Sequence, residues 1–193
     1  MPQPNENERF TYADYLAQDE NSERMEIIDG EVFVMEAPTT AHQSISFELS
    51  RQLGNFLVGK QCKAFSAPFD VRLFEKDGDK PENVDTVVQP DILVICDKSK
   101  IDKHGCKGAP NLVIEILSPS THRHDYLVKL NLYLRAKVPE YWVVDPEKKT
   151  VSVCLLGSDG LYDVSKAYKP NDIVKVNVLE GCFIELSKVF ADV

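Results

Sequence analysis

The stretch between Val88 and Leu134 decides the fold: VQPDILVIC (88–96), a charged loop, then NLVIEILSPSTHRHDYLVKLNLYL (111–134). Residues 92–95 and 112–117 are near-continuous Val/Ile/Leu runs, the pattern of strands buried on both faces. Each run carries one carboxylate where an apolar residue is expected, Asp91 at the mouth of the first and Glu115 inside the second. A carboxylate in such surroundings is costly unless it is paired or holds a metal ion. Consecutive strands neighbour each other in roughly two-thirds of cases, which would bring both acids to one cation. Hard ions such as Mg²⁺ commonly take only one or two protein carboxylates, with water and phosphate completing the shell. The plainer alternative is that Asp91 simply opens its strand after Pro90 and Glu115 pairs with a basic residue.

The segment after Glu115 reads as a turn and then a helix, with Ser120 or Thr121 as N-cap and Asp125 in the first turn. It ends near Lys137, ahead of Val138-Pro139. At about 100° per residue, Leu127, Leu130, Leu134 and Val138 share one stripe, the expected core face. His122, Tyr126, Lys129 and Tyr133 share the stripe beside it. Lys129 therefore lies at the edge of the buried face and can point towards the end of the preceding strand. An i,i+4 ion pair with Asp125, worth a few tenths of a kcal/mol, fits the spacing equally well.

Outward from this centre, residues 1–9 read as a disordered tip and 10–193 as a single α+β domain. A short helix starts at Thr11. RMEIIDGEVFVM (24–35) is a hairpin around Asp29-Gly30, with Glu26 and Ile28 on one face and Met25 and Ile27 on the other. Taken alone, Glu26 reads as a solvated edge acid. Ile45, Leu49, Leu53, Phe56 and Leu57 recur at helical spacing between His42 and Val58. CKAFSAPFDVRLF (62–74) is a strand interrupted at Pro68, and residues 75–85 form a polar Gly/Pro loop. The charged segment 96–111 is expected to be a mobile loop. Beyond Pro139, short strands alternate with turns at Asp145-Pro146, 158–160, 170–172 and Glu180-Gly181.

Composition bounds the possibilities. The 193 residues are 43% hydrophobic and 27% charged, suited to a packed core rather than to disorder. No apolar run approaches the ~18 residues of a membrane span, and the polar N-terminus reads as neither signal nor transit peptide. Five scattered cysteines form no C-x-x-C pair, so neither a zinc site nor a disulfide framework is expected, and a cytoplasmic location follows. The formal charge of −9 speaks against broad nonspecific nucleic-acid binding. The four histidines form no i,i+4 pair, and no nucleophile triad or phosphate-binding glycine loop is present.

With these residues in place, the chain resembles the Uma family of restriction-endonuclease-like proteins from about Phe10 to Leu155. The likeness rests on MEIIDGEVFVM, AHQSIS, SAPFDVRL, VVQPDILVI, GAPNLVIEILSPST, DYLVKLNLY and VPEYWVVDPE, in that order. That family is similar to the PD-(D/E)XK nuclease superfamily. The resemblance implies an α+β, α/β-like core: a mixed β-sheet flanked by helices, here with an extra N-terminal hairpin and C-terminal β-strands. Carried over, Pro90-Asp91 matches the PD element and Glu115 the second acid. Leu117 stands where the superfamily has its lysine, and the family supplies that amine from the next helix, here Lys129. Glu26 matches the additional acid that precedes the PD element.

The implied chemistry is Mg²⁺- or Mn²⁺-dependent hydrolysis of phosphodiester bonds in DNA. Asp91, Glu115, the Ile116 backbone carbonyl and Glu26 would be metal ligands, and Lys129 would orient the water or stabilise the oxyanion. Tyr133, His122 and Ser118 would make supporting or phosphate contacts. The alternative, motivated by the acidic charge and the lack of a Lys/Arg-rich stretch, is a non-catalytic binding module that keeps the nuclease fold. A homodimer is the expected assembly.

Overall fold

The computed structural model describes residues 9–18, 23–118, 124–191 and 193, with only the backbone of residues 124 and 125. In chain order the elements are α1 (Tyr12–Leu16), β1 (Met25–Ile28), β2 (Glu31–Val34), α2 (Thr40–Leu57), β3 (Lys63–Ser66), β4 (Val71–Arg72), β5 (Ile92–Ile95), β6 (Ile101–Asp102), β7 (Gly105–Lys107) and β8 (Leu112–Ile116). They continue with α3 (His124–Arg135), β9 (Glu140–Asp145), β10 (Thr150–Leu156), β11 (Tyr162–Val164), β12 (Ile173–Lys175), β13 (Phe183–Glu185) and α4 (Leu186–Val189). Among the described residues no helix is long and apolar enough to cross a membrane.

A six-stranded mixed sheet in the order β11-β10-β9-β8-β5-β3 forms the centre. β8 and β9 run parallel, while β5 pairs antiparallel with both β8 and β3. Strand alternation gives each sheet face its own core. Ile92, Val94, Leu112, Ile114 and Trp142 meet Ile45, Leu49 and Leu53 of α2 on one face. Leu93, Ile95, Val113, Tyr141 and Val143 meet Leu132 and Tyr133 of α3 on the other. Each face is therefore covered by one main helix, and the β12–β13 hairpin with α4 extends the α2 layer through Val174, Ile184 and Val189.

Local sequence accounts for the outlying elements. Thr11 caps α1 in a capping box with Asp14. Asp29 and Gly30 both adopt positive φ (52° and 84°), as a two-residue hairpin turn of the primed type requires. Ile27 bridges to Val87, which docks the hairpin against the segment leading into β5.

Three expectations are corrected. The segment 96–111 is not a structureless loop: β6 and β7 join β4 in a three-stranded sheet. Its anchor is the buried Arg72, which donates to Glu75 and, at 2.5 Å, to Asp102. Gly105 is required there, since a Cβ would come within 2.1 Å of the Asp70 carbonyl.

The cysteines are not all free, because Cys62 and Cys96 form a disulfide. The β3–β5 register pairs Lys63 with Ile95, so the next positions outward, 62 and 96, face each other with Cα atoms 3.9 Å apart.

The α3 stripes are also reassigned. Leu127 is 54% exposed, whereas Leu132 and Tyr133 are buried and Lys129 points inward. Val138 is buried and Leu130 partly buried against the same core, so the expected stripe is shifted rather than replaced. The Ser120 and Thr121 cap candidates and residues 1–8 of the 1–9 tip lie outside the described residues, while Arg9 donates to Asp85 at 3.3 Å.

The reassignment has a direct consequence for stability. Leu132→Ala should cost about 2–5 kcal/mol in urea denaturation, whereas Leu127→Ala should stay within about 0.5 kcal/mol. The reverse ranking would mean that α3 presents its other face to the sheet.

Candidate functional site

The β5–β8 register places Ile92 opposite Ile114. One step further, Asp91 and Glu115 face each other just past the end of this ladder. By alternation both lie on the α3 face, Asp91 with Leu93 and Glu115 with Val113. β8 continues beside β9 after β5 has ended, with the Leu117 amide donating to the Val144 carbonyl. The neighbouring Ile116 amide points the other way and donates to Asp91 Oδ2 at 2.8 Å. The N–H and C=O of one strand residue project to the same side, so the Ile116 carbonyl is also turned towards the Asp91 side.

Glu26 arrives from β1, 5% exposed, with its Oε1 accepting from the Gln89 amide at 2.8 Å. Lys129 reaches down from α3. Its Nζ donates to Glu26 Oε1 at 2.7 Å and to Glu115 Oε1 at 3.0 Å. Tyr133, one turn on, donates to the same Glu115 oxygen at 2.5 Å. The ion pair with Asp125 that helical spacing also allows involves a side chain outside those described. Leu117 lines the same cavity, and the ammonium comes to Glu115 from the helix.

Sequence reasoning missed His42. It sits at the start of α2, where Thr39 Oγ1 accepts from its backbone amide, and its Nε2 lies 3.1 Å from Asp91 Oδ2. Beside an ionised Asp91, Nε2 carries the proton. Nδ1 is buried without a hydrogen-bond partner. The available signals were a histidine at a helix start and its place in the AHQSIS segment of the family resemblance, while its partner lies 49 residues away. Ser118 lines the cavity, and His122 falls outside the described residues.

The charges do not balance: three carboxylates face one lysine. Burial opposes the charge on Lys129, but Glu115 and Glu26 outweigh it and hold the ammonium protonated well above the ordinary lysine range. Glu115 shares that lysine and also faces Asp91, so burial pushes its carboxyl up to about 7. Burial likewise opposes protonation of His42, yet the hydrogen bond to Asp91 and the charges of Asp91 and Glu115 raise its pKa. The phenol of Tyr133 is raised far, by burial and then by Glu115.

These groups line a cavity of about 360 Å³. Asp91 Oδ1, Glu115 Oε2 and Glu26 Oε2 have no hydrogen-bond partner among the described residues and are not buried orphans, which leaves them open to the cavity. Among the described residues no three His, Cys, Asp or Glu side chains form a ready-made metal cluster. The donors that are present suit a hard cation resting on two carboxylates, a backbone oxygen and water. The deficit of positive charge around Glu115 has the same sense.

Comparison with known proteins identifies the fold and the family. A solved structure from Anabaena variabilis, described as "a putative nuclease belonging to DUF820", superposes with a TM-score of 0.72 at 21% identity, covering 94% of this chain and 98% of that one. That likeness establishes the restriction-endonuclease-like α+β fold. The chain belongs to the Uma2 family, "Putative restriction endonuclease", which it matches over residues 12–187. Two proteins of Synechocystis sp. are similar in sequence. Uncharacterized protein slr1290 is 27% identical over 149 residues, covering 76% of this chain and 74% of its own, and uncharacterized protein sll1609 is 28% identical over 140 residues, covering 70% and 75%.

The raised Glu115 carboxyl sets a pH dependence. Between about 4.5 and about 7 the folded protein keeps a proton that the unfolded chain has released. In metal-free buffer stability should therefore fall as pH rises through that window. Glu115→Gln should remove this part of the slope in urea titrations, and identical slopes for the two proteins would show that Glu115 ionises like a surface acid.

Proposed function

We propose that this protein is a Mg²⁺- or Mn²⁺-dependent endonuclease that hydrolyses phosphodiester bonds in DNA. The observation that carries the reading is the Lys129 ammonium in contact with both Glu26 and Glu115, in one cavity with Asp91. Two opposed acids, a third acid and an amine are the parts that the family resemblance assigns to the reaction. Here the amine comes from α3 and not from the strand.

Asp91 and Glu115 would hold the ion together with the Ile116 carbonyl, and Glu26 would hold a second ion or a water. A bound Mg²⁺ or Mn²⁺ supplies an acidified water and neutralises charge developing on the phosphate. Lys129, kept protonated, is a donor and not the base. Its role is to orient the attacking water or to stabilise negative charge on the phosphate oxygens. Tyr133 fixes Glu115, and His42 with the Ile116 amide fixes Asp91, so that the oxygens facing the cavity keep their directions.

A gel assay with supercoiled plasmid, single-stranded DNA and RNA, in Mg²⁺ or Mn²⁺, tests this. Cleavage should vanish in EDTA and fall at least about a thousandfold in Glu115→Gln and Asp91→Asn, with far-UV circular dichroism unchanged. No cleavage of any substrate by folded protein would instead favour a binding module in which Lys129 permanently takes the cation's place.

A further inference from the structure

This inference rests on the nuclease reading and concerns the form of nucleic acid that the site accepts. The cavity does not end at the acids. It continues along α2, where Ser46 and Ser50 follow His42 at intervals of four and Phe47 follows Gln43 at the same interval. Residues four apart share a helix face. The two rows thus run side by side from the acids, and His42 to Ser50 spans ~12 Å of helix axis. From the other side β2 contributes Val34. Ser66 of β3 adds a hydroxyl 2.9 Å from that of Ser50.

The chemistry of this extension differs from that of the floor. It offers an amide, hydroxyls and an aromatic ring in the open, with Phe47 72% exposed. Among the described residues only Arg24 and Lys129 bring a lysine or arginine to the cavity, and both are engaged. Arg24 donates twice to Gln89 Oε1, at 3.2 and 2.9 Å, and Lys129 is held by the acids. A groove that tracks phosphates uses lysine and arginine. An unstacked base takes an aromatic face, with neutral groups for its edge.

We propose that the α2 extension is a base-binding subsite. An unpaired nucleotide next to the scissile phosphate stacks on Phe47 and presents its edge to Gln43 and Ser46. The enzyme therefore selects single-stranded or locally unpaired nucleic acid over continuous duplex, because a base stacked within a helix has no face to give to Phe47.

Two readouts test this. A single-stranded oligonucleotide carrying the fluorescent base 2-aminopurine is titrated with protein in EDTA at low salt. Stacking should quench it, Phe47→Ala should weaken the quenching about tenfold, and Phe47→Trp should restore it. Separately, kcat/KM with Mn²⁺ is compared for single-stranded and duplex DNA of one sequence. The single strand should be preferred, and Phe47→Ala should narrow that preference about tenfold. Equal quenching by wild type and Phe47→Ala, or duplex cut as fast as single strand, overturns the subsite. Quenching that depends on Phe47, with no cleavage of any substrate, supports the subsite and overturns the nuclease reading. Loss of both signals overturns both.

Discussion

One ammonium group ties the site together. Lys129 on α3 donates to Glu26 on β1 and to Glu115 on β8, so residues up to 103 positions apart meet at a single charge. The contact fastens α3 and the N-terminal hairpin to the end of the sheet. It also leaves the charge unbalanced, because one lysine cannot neutralise Glu26, Glu115 and Asp91 together. Removing one member of a buried charged cluster leaves the others uncompensated, which makes such clusters sensitive to every partner.

Glu140 shows what a purely structural buried acid looks like in the same molecule. It is fully buried, and both of its oxygens are used. Trp142 Nε1 donates to Oε1 at 2.7 Å, with Asn177 at 3.2 Å, and the Val178 amide donates to Oε2 at 2.8 Å. That carboxylate is closed and serves to pin the C-terminal segment to the sheet. The acids at the end of β5 and β8 instead each keep an oxygen open to a cavity. The difference arises from the ladder: β8 outruns β5, and the freed Ile116 amide turns to Asp91 instead of to another strand.

Much of this was legible in the sequence because it depends on short-range patterns. Alternation in β1 placed Glu26 on the face opposite Ile27, but its reading as a solvated edge acid is corrected by its 5% exposure; the two apolar runs put Asp91 and Glu115 opposite one another. The parts that were not legible depend on register or on rotation. Cys62 and Cys96 meet only because β3 and β5 pair in one particular register. Periodicity divided α3 into stripes but did not fix its rotation closely: Val138 is buried and Leu130 partly so, as expected, yet Leu127 faces solvent while Leu132 and Tyr133 turn inward. His42 was not legible as a partner of Asp91, because it becomes significant only where folding places the start of α2 over that acid. The small sheet of β4, β6 and β7 carries Arg72, whose partners Glu75 and Asp102 lie on either side of β5 in sequence.

The charge imbalance connects these observations to chemistry. Burial pushes the Glu115 carboxyl up to about 7, with Asp91 and Glu26 adding to the rise and Lys129 opposing it, so further positive charge beside it is favourable. A cation entering beside Asp91 would supply that charge and displace the proton, so proton and metal compete for the same oxygen. Lys129 cannot play this part, since it is already shared and always protonated. Its fixed charge keeps Glu26 and Glu115 from repelling each other apart, and leaves Asp91 and the open oxygen of Glu115 as the place where one more cation is most favourable. An overall charge of −9 then works against phosphate everywhere except at that point. On the proposed nuclease function, attraction of a phosphodiester to this surface would depend on the ion, and the α2 side of the cavity would be left to recognise what is attached to the phosphate.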